Sequence, residues 1–311
     1  MRARIGSANE DEEKFYAERL RKIELAIRAR YFHMAEVREG LGAVWADLGD
    51  KGRAIEHYRA ALQADGSMGL PAVEQLANLE VRLGEEQAQQ QATAQVGREL
   101  MKTGLQRLQA LLAIVKTVER LSLLGSHWKR CTLLTAEDIT AENINDALRQ
   151  MNAVYVEASD LSLKRDGDRD YYPTLNALDG AIVLAARGDP HAYKLLTKNH
   201  LEWLNHANRN GLRRFAEQRE FFHAYAEVDA ARVDALWAML DGRSGEGLDN
   251  KDVRNKLVAG HRDVLRRMGN PRMHDSALKQ LTWLIAMLPK KGSQKNLRAA
   301  VQKLKSGIES A

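Results

Sequence analysis

The residues best suited to chemistry in this 311-residue sequence are Cys131, its sole cysteine, and His127. They are four positions apart, so on a helix they share a face and would bring a thiol beside an imidazole, as in a nucleophilic pair. A catalytic pair also requires an exposed nucleophile and an oxyanion hole, and no Gly-rich turn adjoins Cys131 to supply one. We therefore predict that the chain is not an enzyme.

Three histidines, His191, His200 and His206, come nearest to a metal-binding set. A zinc site needs three or four ligands that converge on one point. Spacings of nine and six residues place these rings on different faces of a helix, and only Glu202 lies at a helical offset from one of them. The sequence therefore predicts no metal site here.

Asp166, Asp168 and Asp170 alternate through a polar segment as calcium ligands do. A calcium loop also needs glycine at its sixth position and glutamate at its twelfth, and these positions hold Tyr171 and Ala177. Neither of the phosphate-binding patterns GxxxxGK[ST] and GxGxxG occurs in the sequence. We expect a solvated loop at the three aspartates and no cofactor for the chain.

The elements that must position these residues are helices, and the segment around residue 45 indicates which kind. A tetratricopeptide repeat pairs two antiparallel helices through small residues, with aromatic residues beside the contact and a turn between the helices. The matching residues are Gly42, Trp45, Gly49, Ala54, Tyr58 and Ala61. We predict an all-α, tetratricopeptide-like superhelix of stacked antiparallel helix hairpins, in which Gly42 touches Ala54.

Related signals follow along the chain. Gly84 lies 35 residues after Gly49, which predicts a second, eroded repeat with Gln89 at the small position of its second helix. Residues 87–91 are glutamine-rich and are expected to form an exposed helical face. Residues 212–240 are predicted to form one long helical stretch. Further repeat-packing positions are Gly125, Pro173, Asn176, Gly180 and Ala192.

Composition agrees with a helical protein in the cytoplasm. Apolar residues make up 44% of the chain and charged residues 29%, and five prolines leave long segments free to form helices. No apolar run reaches the length of about 20 residues that a membrane span requires. The N-terminal residues carry charge without an apolar segment behind them, so we expect no secretion signal.

The C-terminal tail is rich in cations, although the net charge of the whole chain is only +5. Its basic residues are Lys290, Lys291, Lys295, Arg298, Lys303 and Lys305. The simplest interpretation is the solvated face of a terminal helix. The alternative is an adaptor that binds nucleic acid through this tail together with Arg262, Arg266 and Arg267.

Four segments are predicted. Residues 1–34 form an N-terminal helix, 35–102 hold tetratricopeptide-like repeats, 103–240 hold degenerate helical repeats, and 241–311 hold the C-terminal helices with the basic tail.

Several segments together resemble a known regulatory region. They are 77–84, 120–130, 171–177, 221–229 and 275–276, and the most specific is Tyr172-Pro173-x-x-Asn176-Ala177. Over roughly residues 35–290 the chain resembles bacterial relatives of the TRAF-binding central domain of the apoptosis signal-regulating kinases. The resemblance implies a scaffold that receives partner proteins and controls an effector domain, and no effector domain is recognisable in this sequence.

The predicted function is therefore a non-catalytic protein-interaction and regulatory scaffold that controls an effector domain in cis or in trans. The candidate partner-binding residues are Trp128, Lys129 and Arg130, because two cations beside an aromatic ring suit an acidic partner segment. Packing in the core is the alternative role for these three residues.

Overall fold

A computed structural model describes residues 10–64, 68–134, 144–243, 245–268, 271–291 and 294–310. All regular secondary structure in these ranges is helical, which confirms the predicted all-α fold. The helices are α1 (Glu10–Tyr31), α2 (Ala35–Asp47), α3 (Lys51–Gln63), α4 (Leu70–Ala88), α5 (Ala94–Ile114), α6 (Val118–Cys131), α7 (Ile144–Asp166), α8 (Tyr171–Ala186), α9 (Pro190–Glu217), α10 (Phe221–Leu240), α11 (Lys251–Met268), α12 (Pro271–Met287) and α13 (Lys295–Glu309). None of the described helices is long and apolar enough to cross a membrane.

The chain divides into an N-terminal unit, Met1–Lys116, and a C-terminal unit, Thr117–Ala311. The boundary predicted at 102/103 lies inside α5, where a continuous helix joins the two sides. The boundary predicted at 240/241 follows the end of α10, but Leu297, Val301 and Leu304 of α13 belong to the same apolar core as α8 and α10. Residues 241–311 are therefore part of the C-terminal unit rather than a domain of their own.

In the N-terminal unit, α2 and α3 form the hairpin that the repeat spacing predicts. Gly49 has a φ of +84° at the turn, a conformation that glycine adopts without steric cost. A Cβ on Gly42 would lie 3.0 Å from the Tyr58 ring, so the nearest side chain to Gly42 is that aromatic residue, and the contact with Ala54 stays a prediction. Trp45, Ala54 and Ala61 are buried beside them.

The next hairpin, α4–α5, differs from its predicted form. Gly84 is not at a turn, because α4 continues to Ala88 and the turn falls at Gln89–Thr93. The glutamine-rich segment therefore spans the end of a helix and a turn, and the prediction of a helical face was wrong. The small residue opposite Gly84 is Gly97 rather than Gln89, and a Cβ on Gly84 would lie 2.6 Å from the Gly97 carbonyl oxygen.

The C-terminal unit is built around α8. Every residue of α8 except Tyr171, Tyr172 and Ala185 is buried, and helices that are buried on all sides lie at the centre of a core. A Cβ on Gly125 of α6 would lie 2.8 Å from the Tyr155 ring of α7, and one on Gly180 of α8 would lie 3.2 Å from Met151 of α7. Small residues thus bring α6, α7 and α8 together.

The stretch 212–240 and the basic tail also belong to this unit. The stretch 212–240 is not one helix, because α9 ends at Glu217 and α10 begins at Phe221. The part of the basic tail from Lys295 onward forms α13, whose apolar face, which includes Leu297, Leu304 and Ile308, is buried in the core. The cations of α13 therefore lie on the outer face of a core helix.

Candidate functional site

A polar network crosses the apolar core of the C-terminal unit. We call it the Arg232 network, and its members are Lys129 of α6, Asn176 and Asp179 of α8, Asp229 and Arg232 of α10, and Gln280 of α12. Asn176 and Asp179 are three residues apart, so they share one face of α8, and the same spacing relates Asp229 and Arg232 on α10. Four helices therefore contribute side chains to one cluster.

The Arg232 guanidinium is the centre of this network. It donates to both carboxylate oxygens of Asp179, at 2.8 and 2.7 Å, and to Asp229 at 2.8 Å. Arg232 is 4% exposed and Asp179 is fully buried. Burial opposes the charge on Arg232, but Asp179 and Asp229 together raise its pKa. Burial raises the pKa of Asp229, although Arg232 acts in the opposite direction.

Lys129 extends the network to α6 and α12. Its ammonium donates to Asn176 Oδ1 at 2.8 Å and to Gln280 Oε1, and it lies 4.8 Å from the centre of the Trp283 ring. Gln280 in turn donates to Asp179 at 2.5 Å. Burial lowers the pKa of Lys129 to about 8, and the Asp179 charge partly opposes this shift.

The arrangement is better suited to holding helices in position than to catalysing a reaction. The two carboxylates accept from Arg232, and the ammonium of Lys129 is held by two side-chain oxygens, so each group is occupied by a neighbour within the unit. A buried ion pair adds little net stability, but removing one of its partners leaves an uncompensated charge in the core. The network links α6, α8, α10 and α12 through hydrogen bonds between their side chains.

The predicted partner-binding residues lie at the edge of this network. Trp128 is half-buried and packs on the apolar core, while Lys129 holds the internal contacts just described. Arg130 is also half-buried. A partner that bound the Lys129 ammonium would have to displace Asn176 and Gln280, so partner binding at these three residues remains a prediction.

The side chains of Cys131 and His127 are in contact, and both lie in the core. The Cys131 sulfur lies 3.4 Å from His127 Nε2, and the two residues are 7% and 0% exposed. Burial, with a smaller contribution from the charge of Arg130, lowers the pKa of His127 to about 4. Among the described residues, both members of the pair are therefore buried side chains of the core.

The other sequence candidates take structural roles. Asp168 pairs with His206 at 2.8 Å and with Arg209 at 3.1 Å, and Asp170 caps α8 by accepting from the Tyr172 backbone amide at 3.0 Å. Within the described residues, no three histidine, cysteine or acidic side chains are placed to hold a metal ion. The expected solvated loop is thus tied to α9 through Asp168.

Stability should fall with acidification because two buried histidines must remain neutral. His127 and His261 are both fully buried, and burial is the main reason why the pKa of each is lowered to about 4. The hydrogen-bonded neighbour His274 contributes to the shift of the His261 pKa. A folded-state pKa below the unfolded value of 6.5 gives stability that is complete above pH 6.5 and is lost as pH falls toward 4. Urea unfolding at pH 7.5, 5.5 and 4.5 should show this loss.

Variants of the two histidines should show whether they cause this dependence of stability on pH. His127→Leu and His261→Leu should each make the dependence on pH shallower, whereas His191→Leu, on an exposed position of α9, should leave it unchanged. Equal slopes in all three variants would show that other groups cause the acid sensitivity.

Sequence reasoning missed Asp179, Asp229, Arg232 and Gln280. One signal was available, since Asp179 is the single charged residue of α8, a helix that is otherwise mostly apolar. Buried charges occur almost only with a partner, so Asp179 predicts a cation without identifying it. The pairing itself joins residues 53 positions apart, and helix spacing carries no information about it.

Comparison with known families agrees with this architecture. A family model described as Tetratricopeptide Repeats-Sensor matches residues 50–184, which include Lys129, Asn176 and Asp179. No curated protein matches the chain. Helical hairpins joined at small residues, together with this match, show a tetratricopeptide-like helical-repeat fold, and the chain is similar to that sensor family over residues 50–184.

Proposed function

We propose that this protein is a non-catalytic scaffold that binds a protein partner and regulates an effector domain, in cis or in trans, in the cytoplasm. The observation that carries the proposal is the match of 135 residues, 50–184, to a repeat family whose description names a sensor. Repeat proteins of this type use the surfaces of stacked helices to bind other proteins. The internal pairing of the Arg232 network supports a binding role over a catalytic one.

The resemblance to the central region of the apoptosis signal-regulating kinases supports the regulatory part of the proposal. Its most specific residues lie on α8, where Tyr172 is 44% exposed and Asn176 holds Lys129. A partner that contacts the exposed Tyr172 ring would lie one helical turn from the Arg232 network. Binding could then be transmitted to α6, α10 and α12 through groups that already connect them.

The test uses an effector protein encoded next to this chain or fused to a relative of it. Calorimetry should show a complex with the full chain, and the effector's activity should change when the complex forms. Tyr172→Ala and Arg130→Ala should weaken the complex, whereas Lys198→Ala, on the exposed part of α9, should not. Tight binding that leaves the effector's activity unchanged would remove the regulatory part of the proposal.

The basic tail provides a second check on the type of partner. Removing α13 would expose a core face, so charge removal at exposed positions, Lys290→Gln with Lys295→Gln and Lys303→Gln, is the informative change. We expect this triple variant to keep its protein partner. Nucleic-acid binding that weakens steeply with salt and disappears in the triple variant would contradict the scaffold proposal.

A further inference from the structure

Three hydrogen-bond donors converge on one carboxylate in the N-terminal unit. Glu24 of α1 accepts from the Trp45 indole N–H of α2 and, on α3, from His57 Nε2 at 2.9 Å and from Arg53 at 3.4 Å. The Glu24 side chain is only 12% exposed. We call Trp45, Arg53 and His57 the donor pocket.

The proton on His57 is placed by a fourth residue. Arg38 lies 3.2 Å from His57 Nδ1, and a guanidinium can only donate, so Nδ1 is the acceptor in this contact. In a neutral ring the proton is then on Nε2, which donates to Glu24. Arg38 also donates to the Phe32 carbonyl oxygen at 3.0 Å and stacks on the Phe32 ring, which holds it in place.

The donor pocket therefore requires an acceptor. Trp45 is 0% exposed and His57 is 6% exposed, so without Glu24 two buried N–H groups would have no partner. Leaving buried donors unsatisfied costs far more than one ordinary hydrogen bond contributes. With Arg53 beside them, the group that fits is a negatively charged, planar acceptor, which is a carboxylate.

The helix that supplies Glu24 is weakly held by apolar contacts. Among the described residues of α1, Leu20 alone is a buried core residue, and Tyr16, Ala17 and Ile27 pack against that core while only partly buried. Three other apolar residues are largely exposed, namely Phe15, Ile23 and Leu25. Helices in proteins are stabilised mainly by burial of an apolar face. The Glu24 contacts are therefore a large part of what keeps α1 on the repeat.

We propose that the donor pocket is a carboxylate-binding site for a helical segment of a partner protein that carries a glutamate, and that α1 occupies it in cis through Glu24 until the partner displaces it. This inference depends on the scaffold function for the identity of the partner, but the exchange itself is a property of this chain. When α1 leaves, the partner's carboxylate takes the three donors that Glu24 releases.

The test uses a fluorescein-labelled peptide of residues 10–31, which carries Glu24, as the competing helix and measures its anisotropy with the full chain. Glu24→Ala in the chain weakens the cis contact and should tighten peptide binding by about tenfold or more, since the apparent affinity rises with the fraction of open pocket. Adding Arg53→Gln to that chain should reverse the gain, and a peptide carrying Glu24→Gln should bind weakly to every form.

Glu18 provides the matched control, because it lies on the same helix, is 64% exposed and pairs only within α1, with Lys22. Glu18→Ala in the chain or the peptide should change nothing. Peptide binding that is the same for the Glu24→Ala and unmodified chains, or that ignores Glu24 in the peptide, would overturn the proposal. An effector complex found alongside that result would leave the scaffold function intact.

Discussion

Replacing Arg232 with methionine should lower the free energy of unfolding of the C-terminal unit by about 3 to 5 kcal/mol. Methionine fills a similar volume but leaves Asp179, which is fully buried, and Asp229 without their cation. An uncompensated buried charge is among the most destabilising changes that a single substitution can make. Urea unfolding followed by circular dichroism measures the loss.

Arg165→Met is the control for this experiment. Arg165 pairs with Asp166 at 2.7 Å, but it is 56% exposed, and exposed ion pairs contribute about 1 kcal/mol or less. The same substitution thus removes an ion pair in water and an ion pair in the core. If both variants unfolded at the same urea concentration, the Arg232 network would not be an organising feature of the unit.

Gly97→Ala should destabilise the N-terminal unit by about 3 kcal/mol or more. The added methyl carbon would lie 2.5 Å from the Gly84 carbonyl oxygen and closer still to the Ala88 backbone nitrogen. Backbone atoms cannot move aside as a side chain does, so α4 and α5 would have to separate. The thermal midpoint of unfolding should fall accordingly.

Gly40→Ala provides the opposite case in the same unit. Nothing lies within 4 Å of a Cβ at Gly40, which is exposed on α2, so alanine should stabilise the helix by about 0.5 to 1 kcal/mol. A lower midpoint for Gly40→Ala, or an unchanged one for Gly97→Ala, would contradict the packing of this hairpin.

The sequence predicts the fold class well because small and aromatic residues recur at helical-hairpin spacing. It locates the α2–α3 turn at Gly49 but errs at Gly84, and the reason is that glycine serves two purposes. Gly49 provides a positive φ, while Gly84 lies within a helix and allows a second backbone to approach. Composition and spacing do not distinguish these uses, so the 35-residue spacing from Gly49 does not locate the second turn.

The candidate site was less predictable than the fold. Lys129 was recognised as an unusual cation beside Trp128, but its partners Asn176 and Gln280 are 47 and 151 residues away. Interactions between distant helices depend on how those helices are oriented, which no local pattern records. Glu24 shows the same difficulty in the N-terminal unit, because its donors come from two other helices.

Because Cys131 is buried, its rate of reaction with a thiol reagent can report local opening of the helices around it. A thiol reagent reaches the sulfur only when α6 separates from its neighbours, so the labelling rate measures the population of that open state. The sequence contains no other cysteine, and the signal is therefore free of background from a second site. Labelling with and without a bound effector would report, in real time, whether regulation loosens or tightens the helices around the Arg232 network.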